Sequence, residues 1–130
     1  MRRALCAAPV PQAFTPLRVG PPLIPEDGSI AEPFGVLADL QKKGLIRHLG
    51  LSTVSSMQVA EARKIAPVVC VQNLYNVARR TDDALVRELA ALGIAYVPYF
   101  PLGGFTPLQS STLDGVAAAI GGSPMQVALA

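Results

Sequence analysis

Tryptophan is missing from this 130-residue chain, histidine occurs once and cysteine twice. One His with Cys6 and Cys70 offers no metal-ligand spacing, and two cysteines make no disulfide framework. Charge is scarce as well. Only 15% of residues are charged, 11 Lys+Arg against 9 Asp+Glu leave a formal +2, and no basic run exceeds the pairs Arg2-Arg3, Lys42-Lys43 and Arg79-Arg80. A nucleic-acid surface needs clustered phosphate neutralisers, so no nucleic-acid partner is expected. Mean hydropathy is +0.40, yet no window approaches the roughly 20 apolar residues of a spanning helix, so no membrane partner is expected either. Arg2-Arg3 ahead of Ala4 to Val10 imitates a secretory leader, but Pro9 and Pro11 interrupt it. The expectation is a reducing, cytoplasmic setting.

What the chain has is apolar residues, 51% of the total, in short runs separated by glycine and proline. Residues 1–28 read as an irregular lead-in: from Met1 to Pro33 lie 7 of the 12 prolines, and only Leu17-Arg18-Val19 suggests a strand remnant. After Gly28 the texture alternates. Ser29 and Glu32 have capping-box spacing and open a helix with apolar Phe34, Leu37, Leu40 and, across its end, Leu45, closed by Gly44. Leu45 to Leu51 then reads as a strand. Ser55 with Gln58 opens a second helix that Pro67 ends, and Val68-Val69-Cys70-Val71 is the continuous apolar run of a buried parallel strand. Thr81 caps a third helix with Asp82 and Asp83 at its positive end, closed by Gly93, and Ile94 to Val97 forms the next strand. Ser111 with Asp114 opens a fourth helix ending at Gly121-Gly122, and Ser123-Pro124 starts a last one.

Strand positions Ile46, Val69 and Ala95 are 23 and 26 residues apart with one helix in each gap. This is the period of βα units, so the fold class is α/β with parallel strands. A small doubly wound sheet and a (β/α)8 barrel both fit, and the barrel needs roughly 250 residues. The last helix has a start signal and no stop, so the expectation is a partial barrel over residues 29–130, about half of the whole.

Three segments then carry a family resemblance: Lys43 to Ser52 (KGLIRHLGLS), Val71 to Asn76 (VQNLYN) and Tyr99 to Gly104 (YFPLGG). In this order, at βα spacing and each at a strand's C-terminal end, they resemble the aldo-keto reductases, in particular the bacterial branch that includes pyridoxal reductases. The resemblance implies a (β/α)8 barrel that moves hydride between NADPH and a small aldehyde or ketone. It implies that Ser52 and Gln72 hold the nicotinamide carboxamide, that Tyr99 stacks on the nicotinamide ring, and that Leu102, Gly103 and Gly104 bring backbone N–H groups to the pyrophosphate. A site at the C-terminal strand ends is where a βα barrel places one.

The departures are as specific. Where the family has Asn after the serine, this chain has Thr53, which the resemblance places among the cofactor-binding residues with a hydroxyl in place of an amide, and where the branch has Glu it has Leu74. The family's catalytic Asp, Tyr and Lys belong to segments that match nothing in these 130 residues, and its His position falls on Arg18 if Leu17 to Val19 is the fourth strand. His48 and Cys70 read as packing residues, Tyr75 and Tyr96 as packing groups without the neighbouring Lys a general acid needs, and the Lys and Arg pairs as solvated surface. Two functions follow. One is a partial NADPH-dependent reductase, incompetent by itself. The other is a non-catalytic half-barrel that persists by self-association, or with a complementary fragment, through unpaired sheet edges.

Overall fold

The computed structural model describes residues 28–103 and 110–130, together with the backbone of residues 14–18. Strand β1 (Phe14–Arg18) precedes helix α1 (Ala31–Lys42), and strand β2 (His48–Ser52) precedes α2 (Ser56–Ile65). Then come β3 (Val68–Gln72), α3 (Asp83–Ala91), the two-residue β4 (Ala95–Tyr96), α4 (Ser111–Ile120) and α5 (Pro124–Leu129). The strands form one sheet in the order β1-β2-β3-β4, with every pairing parallel. Each strand therefore lies beside the next in sequence across one helix, and the order never reverses. A doubly wound sheet reverses its order at a switch point. Unreversed sequential order is that of a barrel, here partial.

The core lies between the sheet and α1 to α3. Phe34 and Ile30 are fully buried with Leu49 and Leu51 of β2, Val59 of α2, Val71 of β3 and Leu89 of α3. Leu51 stands in register with Val71, Gly50 with Cys70 and Ser52 with Gln72. Because successive strand residues face opposite ways, Gly50, Ser52, Cys70 and Gln72 share the face turned from the helices. Cys70 is a buried free thiol whose pKa burial pushes up, which matches its reading as a packing residue.

Local signals place the element ends with some displacements. Ser55 and Gln58 form a reciprocal capping box, as do Ser123 and Gln126 with Pro124 behind the cap. Gly44, Gly93 and Gly121 adopt positive φ where their helices stop, the conformation glycine reaches without a Cβ penalty. The box expected at Ser29 does not form with Glu32. Glu61 of α2 replaces it: its carboxylate accepts from the Ser29 hydroxyl (2.6 Å) and from the Ile30 N–H (2.7 Å), so α1 is capped by its neighbour. Ile30 is the N-cap of α1 and its own side chain cannot serve. The fourth helix is capped one residue earlier than expected, by Ser110 on the Leu113 N–H. For the third, Asp82 rather than Thr81 occupies the N-cap, without a side-chain capping bond.

The buried stripe of α1 is Ile30, Phe34 and Ala38, at four-residue steps, and Leu45 beyond the left-handed Gly44 is 70% exposed. β2 accordingly starts at His48, three residues later than read. β1 begins three residues before the Leu17 to Val19 remnant and lies inside the stretch expected to be irregular. The remainder of the lead-in, and Gly104, lie outside the described residues.

Candidate cofactor-binding face

At the C-terminal ends of β1 to β3, parallel register aligns Arg18 with Ser52 and Ser52 with Gln72. Only the backbone of Arg18 is described. Ser52 is 5% exposed and Gln72 half-buried. Among the described residues neither side chain makes a hydrogen bond, although the groups around them are paired. Two neighbouring polar side chains, one hydroxyl and one carboxamide, thus have donors and acceptors that no described residue uses.

Thr53 turns the chain out of β2. Its N–H donates to the Gln72 carbonyl (2.9 Å) and its φ is +58°, a left-handed conformation uncommon for a β-branched residue. The Thr53 hydroxyl lies 3.3 Å from the Tyr99 hydroxyl, so it is engaged by the aromatic ring's own polar tip. Tyr99 joins the strand ends through its N–H to the Asn73 carbonyl (2.9 Å) and a parallel bridge to Leu74. The Phe100 ring meets it edge-on, with centroids 5.4 Å apart. Leu102 and Gly103 follow in a turn in which the Gly103 N–H donates to the Phe100 carbonyl (3.0 Å) and Gly103 has φ +97°. That N–H, expected to approach a pyrophosphate, is committed within the turn.

Sequence reasoning missed the polar group beneath these residues. Asn73 is 6% exposed. Its Oδ1 accepts from the Val54 N–H (3.0 Å), and its Nδ2 donates to the Val54 carbonyl (2.8 Å) and to Asp82 Oδ2 (2.7 Å). Tyr96 donates to the same Asp82 oxygen (2.8 Å), and burial, reinforced by that carboxylate, drives the Tyr96 phenol far above its ordinary pKa. Tyr75 donates to Asp83 (2.5 Å), which also accepts from Arg80 Nε (2.8 Å), while the Arg80 guanidinium sits 5.2 Å from the centroid of the Tyr75 ring. Arg80, then Tyr75, hold the Asp83 carboxyl below its usual range. Neither tyrosine is an acid poised for neutral pH. The available signal was an Asn directly after an apolar strand, since a buried amide must find partners.

A half-barrel of parallel βα units whose polar side chains collect at the C-terminal strand ends defines the class. The chain matches the model of the aldo/keto reductase family over residues 6–123, and it belongs to that family of oxidoreductases. It is 65% identical over 106 residues to pyridoxine 4-dehydrogenase of Escherichia coli K12, an alignment covering 82% of this chain and 37% of that protein. An uncharacterized oxidoreductase of Schizosaccharomyces pombe is 38% identical over 97 residues, covering 74% and 32% respectively. The chain spans about a third of the length of these curated relatives. Among solved structures, a thermostable aldo-keto reductase in complex with the inhibitor epalrestat superposes with a TM-score of 0.71 at 27% identity, covering 89% of this chain and 43% of that one. The aldose reductase of Schistosoma japonicum shares the fold, with a TM-score of 0.63 at 20% identity over 82% of this chain and 38% of the other.

Proposed function

We propose that these residues form the nicotinamide-binding part of an NADPH-dependent aldo-keto reductase acting on a small aldehyde or ketone. The observation that carries this reading is the adjacent pair Ser52 and Gln72, in register and without hydrogen bonds among the described residues. A nicotinamide carboxamide presents one carbonyl and one NH2, which a hydroxyl and a second carboxamide complement. The bound cofactor supplies hydride for the carbonyl carbon. Ser52 and Gln72 orient its amide, and Tyr99, held at its hydroxyl by Thr53, offers a ring face for stacking. Thr53 thus acts here through Tyr99 instead of replacing the family's Asn on the carboxamide. The name of the pyridoxine 4-dehydrogenase relative makes pyridoxine and its aldehyde the first couple to test. Among the described residues no helix is long and apolar enough to cross a membrane, and a cytoplasmic location accords with the scarce cysteines.

Residues 1–130 alone are expected not to turn over, because nothing in them matches the family's Asp, Tyr and Lys. Titration with NADPH, followed by nicotinamide fluorescence, is expected to show binding that does not saturate at micromolar cofactor and that weakens further in Ser52→Ala and Gln72→Ala. Turnover of an aldehyde at rates usual for enzymes, about 1–10³ per second, would overturn the inactive-fragment reading.

A second reading, a non-catalytic half-barrel that self-associates or binds a complementary fragment, is favoured by the apolar surface on the last two helices. Ile120 is 68% and Leu129 62% exposed, and α5 buries no residue. Size-exclusion chromatography separates the readings: a compact, cooperatively melting monomer excludes the second.

A further inference from the structure

We propose that Asn73, held in place by Asp82, is the positioning residue of this face: one side-chain amide sets where Ser52, Gln72 and Tyr99 stand relative to one another. The inference rests on the cofactor reading of those three residues and goes beyond it. Asn73 touches each arm of the site. Its side chain grips both backbone groups of Val54, next to Thr53 and two residues past Ser52. Its own backbone follows Gln72 directly, and its carbonyl takes the Tyr99 N–H. The ends of β2 and β3 and the segment after β4 therefore meet on one residue, whose side-chain amide is bonded within the protein.

Asp82 joins the two Val54 groups in setting which way the amide faces. Turned end for end, Asn73 would set its NH2 against the Val54 N–H, and its oxygen against both the Val54 carbonyl and the Asp82 carboxylate. Each of those contacts repels, so a single orientation is selected. Tyr96 donates to the same carboxylate oxygen and ties that choice to β4. Burial strengthens the arrangement, since a buried amide that loses a partner bears the full desolvation cost.

The test uses the 130-residue chain, labelled with 15N, and nicotinamide mononucleotide at millimolar concentration as the probe. Amide shifts at Ser52, Gln72 and Tyr99 read the site, and those of Phe34, Leu51 and Val59 read the fold. Asn73→Asp places a carboxylate against Asp82 and is expected to lower the probe's apparent affinity about tenfold while the core signals persist. The double variant Asn73→Asp with Asp82→Asn restores one donor and one acceptor between the two positions, still sets a carboxylate oxygen against the Val54 carbonyl, and is expected to recover part of the response. A role confined to stability would show no such ligand-specific loss and recovery in chains that are folded throughout. Where Asn73→Asp does not fold, Asp82→Ala, at a half-exposed position, removes one of the amide's three contacts and loosens its hold on the strand ends, and is expected to lower the affinity about threefold. An unchanged response in a folded Asn73→Asp, or in Asp82→Ala, overturns the inference. Absence of any response in the unsubstituted chain overturns the cofactor reading itself, and this inference with it.

Discussion

The helices beside β2 and β3 are less apolar than the two helices at the end of the chain, yet they bury their apolar residues more completely. On α1 and α2, Phe34, Ala38, Val59 and Ala62 close on Leu49, Leu51 and Val71, all among the most buried residues of the structure. On α4 only Leu113 and Ala117 are buried, and Val116, Ile120, Met125 and Leu129 of α4 and α5 remain exposed. The difference is in the partner surface. A helix next to a parallel strand pair is covered, whereas α4 and α5 pack chiefly on each other. Apolar composition states what a helix is able to bury; its neighbours determine what it does bury.

The largest expected effect breaks the well-packed side. Phe34→Ala should cost about 3–5 kcal/mol in urea unfolding, whereas Ile120→Ala should change stability by less than about 0.5 kcal/mol. Similar losses from the two substitutions would mean that α4 and α5 belong to the same cooperative unit as the core.

Two identical devices sharpen the contrast. Ser55 and Ser123 each complete a capping box. Ser55→Ala should lower global stability by about 1 kcal/mol, since α2 is embedded in the core. Ser123→Ala should leave the unfolding midpoint in place and accelerate amide exchange over α5 alone.

At the site itself, Thr53 bears left-handed strain on a β-branched side chain. Thr53→Asn should raise stability by about 1 kcal/mol, because Asn adopts this conformation at lower cost. Circular-dichroism melts that show no gain would mean that the lost contact to Tyr99 offsets the relief.

The smallest effect concerns acid. The Ser29 hydroxyl, then the Ile30 N–H, hold the Glu61 carboxyl below its ordinary pKa in the folded chain. The resulting stability is present above the unfolded-state pKa and is lost as pH falls through the lower folded-state value. Urea midpoints of Glu61→Gln should therefore fall less steeply on acidification than those of the unsubstituted chain.

Much of the fold was legible along the chain. Apolar runs spaced by helical segments carried the parallel βα order, and the Ser–Gln boxes and the glycine stops carried several helix ends. The site was legible in part. Ser52, Gln72 and Tyr99 stood out through the family resemblance of the motifs that hold them, while Asn73 passed as one letter of a motif and Asp82 as a charge suited to a helix dipole. Neither shows its partners along the chain. Asn73 meets Val54 19 residues away, and Thr53 meets Tyr99 46 residues away.

The amino-acid order by itself determined which stretches become strands and helices and where several of them stop, because those choices depend on side chains and backbone groups three or four residues apart. Tertiary structure alone decided that Glu61 caps α1, that Ser52 faces Gln72 and that Asn73 clamps the strand ends. Each of these needs donors and acceptors from distant segments to meet away from water, and only the packed sheet brings them together.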